Sequence, residues 1–150
     1  VRSTVAWISH GVVGADVLDP SCNEWYTFHG TSEKAAKAIC RSSFKMSLAG
    51  THTGTLYGSG TYLSEAITKA DEYAGANEYG EYAVLVCRTL GGNVRYTDEA
   101  EPDVQELVGS CTEGPFDCVL GDREKCRGTY REFVFFDSER IYPEYLVLYK

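Results

Sequence analysis

Zinc-ribbon and disulfide-scaffold chemistry are the first things this sequence excludes. Its six cysteines, Cys22, Cys40, Cys87, Cys111, Cys118 and Cys126, contain no Cys-x-x-Cys pair. The spacing of Cys111, Cys118 and Cys126 fits neither a zinc ribbon nor a zinc finger. A chain of 150 residues can bury enough surface to fold without staples. The thiols therefore read as reduced, which implies an intracellular setting, nuclear or cytoplasmic. Histidine is scarce, and His10 and His52 have no ligand-like neighbours in sequence, so no metal site is expected. Basic residues are outnumbered, 14 Lys and Arg against 22 Asp and Glu, for a net charge of −8. That balance argues against a surface for nucleic acid. No apolar run approaches the ~18 residues of a membrane span, and no basic-then-apolar leader opens the chain, so no membrane partner is expected. Repeats, low-complexity tracts and an internal linker are also missing. The length is that of one domain, residues 1–150, and an opening valine reads as a piece of a longer protein.

What is present favours sheet. Fifteen glycines, 13% aromatics and many β-branched residues accompany a hydrophobic content of 43%. Residues 1–24 read as a lead-in, with an edge strand at Val5-Ala6-Trp7-Ile8 and a glycine-rich loop. Residues 24–28 predict a strand, and Ser32 caps a helix reaching Cys40. Residues 45–57 read as a loop over a site. Residues 60–63 predict a short strand, and Ser64 a cap for a second helix over 65–73. Residues 81–89 predict a central strand, and 102–108 a helical turn. Residues 116–120 predict another strand and 122–129 an exposed charged loop. Residues 132–136 and 145–149 predict the last strands, joined through a turn at Pro143. Strands interleaved with two or three short helices, then mostly strands, make an α+β pattern with a largely antiparallel sheet.

Three segments hold residues that a buried strand tolerates only for a reason. Phe28-His29-Gly30-Thr31 sets a histidine and a glycine after an aromatic run. Gly58-Ser59-Gly60-Thr61-Tyr62 sets a tyrosine behind a glycine pair. Arg131-Glu132-Phe133-Val134 sets a carboxylate at the mouth of an apolar strand. Lys69 and Tyr73 follow the second segment, and Tyr142-Pro143-Glu144-Tyr145-Leu146 follows the third. Taken one at a time, each has a structural explanation. In this order and context, His29, Tyr62 and Glu132 resemble the catalytic triad of the poly(ADP-ribose) polymerase family, and the resemblance runs over residues 25–150.

The resemblance implies an ADP-ribosyltransferase-like fold of mostly antiparallel, split β-sheets with two or three short helices. It implies an enzyme with NAD as co-substrate and no metal, which releases nicotinamide and transfers ADP-ribose to protein side chains, itself included, singly or in short chains. In that picture the backbone of Gly30 holds the carboxamide, and Tyr62 and Tyr73 sandwich the nicotinamide ring. His29 and Thr31 orient the adenosine-side ribose, and Glu132 supports the ribose as positive charge develops on it. Ala70 stands where the family often carries a serine that bonds the carboxamide. Two other outcomes fit the same residues: an NAD glycohydrolase with water as acceptor, and an inactive module that binds NAD or ADP-ribose. Oligomeric state and target are not legible.

Overall fold

A computed structural model describes residues 18–46 and 55–150. The expected edge strand at residues 5–8 and most of the expected loop at 45–57 lie outside these residues. A 3₁₀ turn at Pro20–Cys22 leads into β1 (Glu24–Thr31). Next come α1 (Glu33–Ser42), β2 (Thr61–Leu63), α2 (Ile67–Asp71), β3 (Tyr82–Leu90), β4 (Val94–Thr97) and α3 (Val104–Thr112). The chain closes with β5 (Cys118–Gly121), α4 (Arg123–Arg127), β6 (Glu132–Phe135), a 3₁₀ turn at Ser138–Arg140, and β7 (Ile141–Tyr149).

Two sheets form. One has the order β1-β3-β7, antiparallel throughout, with β3 in the centre. The other has the order β2-β6-β5-β4, antiparallel except for the parallel β4–β5 pair. Side chains of Trp25, Leu85 and Cys87 from the first sheet meet Leu120, Phe133 and Phe135 from the second, and Trp25 and Phe133 pack with ring centroids 4.9 Å apart. The far face of the second sheet is covered as well, with Val119 and Val134 packing on Leu107 of α3 and on Tyr57. Strands buried on both faces read as continuous apolar runs, which is why β5 and β6 show no alternation.

The α+β architecture matches expectation, but several elements differ. Ser32 does cap α1, its hydroxyl accepting from Ala35 N–H at 3.2 Å. Ser64 does not start α2. The N-cap is Ala66, and Ser64 instead ties three segments, bonding the backbone of Phe28, accepting from Ala66 N–H and donating to Arg131 O. The helix is accordingly short, and Tyr73 lies two residues beyond its end. Residues 122–129 are not an open loop, because Asp122 caps α4 and Gly128 (φ 65°) closes it. This raises the α-helices among the described residues to four. β4 has no counterpart in the sequence expectation: Val-Arg-Tyr-Thr is a short edge strand with little apolar content. Pro143 makes no turn. β7 runs through it at a register shift opposite Val86 and Cys87, and an edge strand with a bulge tolerates the missing N–H.

Candidate active site

Among the described residues the two sheets are joined at a bridge between β1 and the end of β2. Phe28 N–H donates to Ser64 O at 2.7 Å, and Ser64 N–H to Phe28 O at 3.0 Å. This crease sets the next residue, His29, against Tyr62, with His29 Nδ1 2.9 Å from the Tyr62 carbonyl oxygen. A carbonyl only accepts, so Nδ1 carries the proton there. Phe44 meets the imidazole edge-on, with centroids 5.1 Å apart and planes at 86°. A hydrogen bond and a ring contact together fix the histidine's orientation.

Beside the crease opens a cleft of about 840 Å³, within the range of small-molecule sites. His29, Gly30, Thr31, Tyr62, Ala70, Tyr73 and Glu132 all line it, so the tertiary structure brings together the seven residues to which the resemblance assigns a role. β1 is an edge strand, and Phe28 turns its N–H and C=O outward to Ser64. Backbone direction repeats every two residues in an antiparallel strand, so Gly30 turns its N–H and C=O the same way, toward the cleft. Its missing Cβ serves packing: a methyl there would run into the backbone carbonyl of Ala70. Glycine thus lets α2 lie directly on β1, with Ala70 buried against Phe28 and Val84.

Tyr62 is held by both functions of its hydroxyl, which donates to Gly58 O at 2.9 Å and accepts from Tyr57 N–H at 3.0 Å. Burial drives its pKa far above the ordinary tyrosine range. It offers the cleft a ring rather than an acid. Tyr73 is more open and brings its hydroxyl within 3.4 Å of Glu132 Oε1. The ammonium of Lys69 sits 4.9 Å from the Tyr73 ring centroid.

Glu132 is 2% exposed. A buried carboxylate requires partners, and this one has two cations among the described residues. Lys69 Nζ is 3.9 Å from Oε1, and Arg123 Nη1 donates to Oε2 at 3.1 Å. Burial works to lower the Lys69 pKa, but its bond to Glu72 at 2.6 Å and the charge of Glu132 outweigh that and raise it. Arg131, adjacent in sequence, turns away from the site and pairs with Glu65.

Sequence reasoning missed Arg123 and Tyr57. Asp122 and Gly128, at the two ends of a five-residue charged segment, are a helix start and stop signal that would have located α4. Nothing local marks Tyr57, which is wholly buried, its pKa pushed up to about 12 by burial. Its ring packs where a Gly121 Cβ would have to sit, and its N–H holds Tyr62. Gly121→Ala is therefore expected to displace Tyr57, loosen Tyr62 and lower stability by about 1–3 kcal/mol. A melting curve checks this, and an unchanged midpoint would contradict the packing described.

The family model described as "Poly(ADP-ribose) polymerase catalytic domain" matches residues 16–150. Mouse (Mus musculus) protein mono-ADP-ribosyltransferase PARP12 is 29% identical over 133 residues, which are 85% of this chain and 17% of that protein. Mouse protein mono-ADP-ribosyltransferase PARP10 is 39% identical over 72 residues, 47% of this chain and 7% of that protein. The poly [ADP-ribose] polymerase tankyrase of Caenorhabditis elegans is 24% identical over 160 residues, 85% of this chain and 7% of that protein. The chain spans less than a fifth of the length of each. With the match reaching across β1, α2 and β6, the elements that build the cleft, this chain belongs to the poly(ADP-ribose) polymerase catalytic domain family.

Proposed function

We propose that the chain acts as one catalytic domain, an NAD-dependent ADP-ribosyltransferase that releases nicotinamide and passes ADP-ribose to protein side chains inside the cell, itself included. The observation that carries this is Glu132, an almost fully buried carboxylate at the wall of a cleft otherwise suited to a flat aromatic ligand. The cleft fits NAD by its donor set. Gly30 offers a backbone donor and acceptor for a carboxamide, and Tyr62 and Tyr73 offer rings for stacking. His29, its Nδ1–H engaged, and Thr31 suit the hydroxyls of the adenosine-side ribose.

In the reaction the bond between the ribose anomeric carbon and nicotinamide breaks, and nicotinamide leaves with the electron pair that neutralises its ring. The nucleophilic atom of an acceptor side chain forms the new bond to that carbon, and the proton it carried passes to solvent. Glu132 accepts a hydrogen bond from the ribose 2′-hydroxyl, an interaction that strengthens as positive charge grows on the sugar. Lys69 and Tyr73 hold the glutamate's Oε1 toward the cleft.

Incubation of the purified domain with labelled NAD tests the proposal. Label on protein together with free nicotinamide supports transfer. Nicotinamide without labelled protein would make the chain a glycohydrolase, and NAD binding with neither product would make it a binding module. Ala70 supplies no hydroxyl to the carboxamide, so Ala70→Ser is expected to tighten nicotinamide-like inhibitors by about 0.5–1.5 kcal/mol. Titration calorimetry showing equal or weaker affinity would count against the placement of nicotinamide beside α2.

A further inference from the structure

The two oxygens of Glu132 face different surroundings. Oε1 looks toward Tyr73 and Lys69, both of which line the cleft. Oε2 is bonded by Arg123, which does not line it. Extending an attached ADP-ribose into a chain makes a further demand on this carboxylate. A ribose hydroxyl of the attached unit must bond to the anomeric carbon of the incoming unit as nicotinamide leaves with its electron pair, and that hydroxyl must pass its proton toward a carboxylate oxygen. With Oε1 on the NAD side, Oε2 is the oxygen such a hydroxyl would approach, and a guanidinium already stands there.

The position of Arg123 is built in by the fold. Gly121 is the register partner of Glu132, and the chain turns into α4 immediately afterwards, so Arg123 reaches back across two residues to the carboxylate. The helix is clamped on several sides. Asp122 accepts from Lys125 N–H and from Tyr96 Oη, Lys125 pairs with Asp98 at 3.0 Å, and Arg127 donates to Ala100 O at 2.6 Å. Lys69 already lies beside Glu132, and the buried Nε of Arg123 has no hydrogen-bond partner among the described residues, which makes its burial costly.

We infer that Arg123 is a specificity-determining residue that closes the acceptor side of Glu132 to a second ADP-ribose, so that the domain stops after one unit although its glutamate is present. This rests on the proposed transferase activity and adds the length of its product. It acts through Glu132, as a positioning residue, by occupying Oε2.

The test compares the wild-type domain with Arg123→Met, which keeps an apolar stem in place of the guanidinium. After reaction with NAD, products are digested with a phosphodiesterase. Terminal units yield AMP, internal units yield phosphoribosyl-AMP, and both are divided by the nicotinamide released. Wild type is expected to give terminal units almost alone. A hydrogen bond to a charged group is commonly worth about ten-fold or more in equilibrium, so the variant should raise internal units per nicotinamide by at least about that factor. Adding Glu132→Gln to it should remove them. Wild-type product dominated by internal units would overturn the inference, as would a nicotinamide-releasing variant that makes none. If Arg123→Met melts below the assay temperature, Arg123→Gln takes its place: a rise in the same ratio supports the inference, and no rise overturns it. Wild type that releases no nicotinamide would defeat the proposed activity itself, and this inference with it.

Discussion

Glu132→Gln is expected to keep NAD binding while lowering transfer by about 10²–10³-fold, the usual cost of removing one electrostatic contact to a developing charge. Glutamine has the shape of glutamate, so β6 and its buried neighbours Phe133, Val134 and Phe135 should pack as before. What disappears is the negative charge. Lys69 keeps its bond to Glu72, but Arg123 loses the carboxylate it donates to. A stability loss of about 1–3 kcal/mol follows from leaving that donor without its charged partner. The effects separate cleanly. Melting reports the lost pair, calorimetry reports NAD affinity, and nicotinamide release reports the chemistry. A variant that modifies protein at the wild-type rate would remove Glu132 from the mechanism.

Gly30→Ala is expected to be the most damaging single methyl in the site. Its Cβ would meet the carbonyl carbon and oxygen of Ala70, and both belong to backbone, so no side-chain rotation relieves the clash. Either β1 or α2 must shift. If α2 moves, Lys69 and Tyr73 move with it, and Ala70 leaves its cluster with Phe28 and Val84. Overpacking of this kind costs about 1–3 kcal/mol and sometimes more. Loss of measurable NAD binding should accompany it, because the same displacement opens the cleft wall. Gly75→Ala is the matched control: no atom lies within 4 Å of a Cβ there. Its stability should stay within about 0.5 kcal/mol of wild type. Similar behaviour of the two variants would show that the close approach of α2 to β1 does not organise the cleft.

Much of this candidate site is legible in the linear sequence because the cleft is lined by residue types that are costly where they stand. A histidine and a glutamate in apolar, aromatic runs mark themselves, and Ser32 before an alanine-rich segment announces α1. The central position of β3 follows from its near-continuous apolar run, and the α+β class from the order of elements. Other features are hidden for physical reasons. β4 carries too little apolar surface to stand out, since an edge strand buries only part of itself. Pro143 reads as a break in β7 because the lost N–H is tolerated only where a strand is an edge, which is a property of the sheet.

The amino-acid order alone determined which side chains could do chemistry and the family whose pattern they share. Only the tertiary structure decided how those side chains are electrostatically set. The crease at Phe28 and Ser64 turns His29 onto Tyr62, and the register of β5 on β6 brings Arg123 to the far oxygen of Glu132. A residue's type is written in the chain, but which of a carboxylate's two oxygens meets a cation depends on strand register and helix placement, and those are fixed only when the sheets pack together.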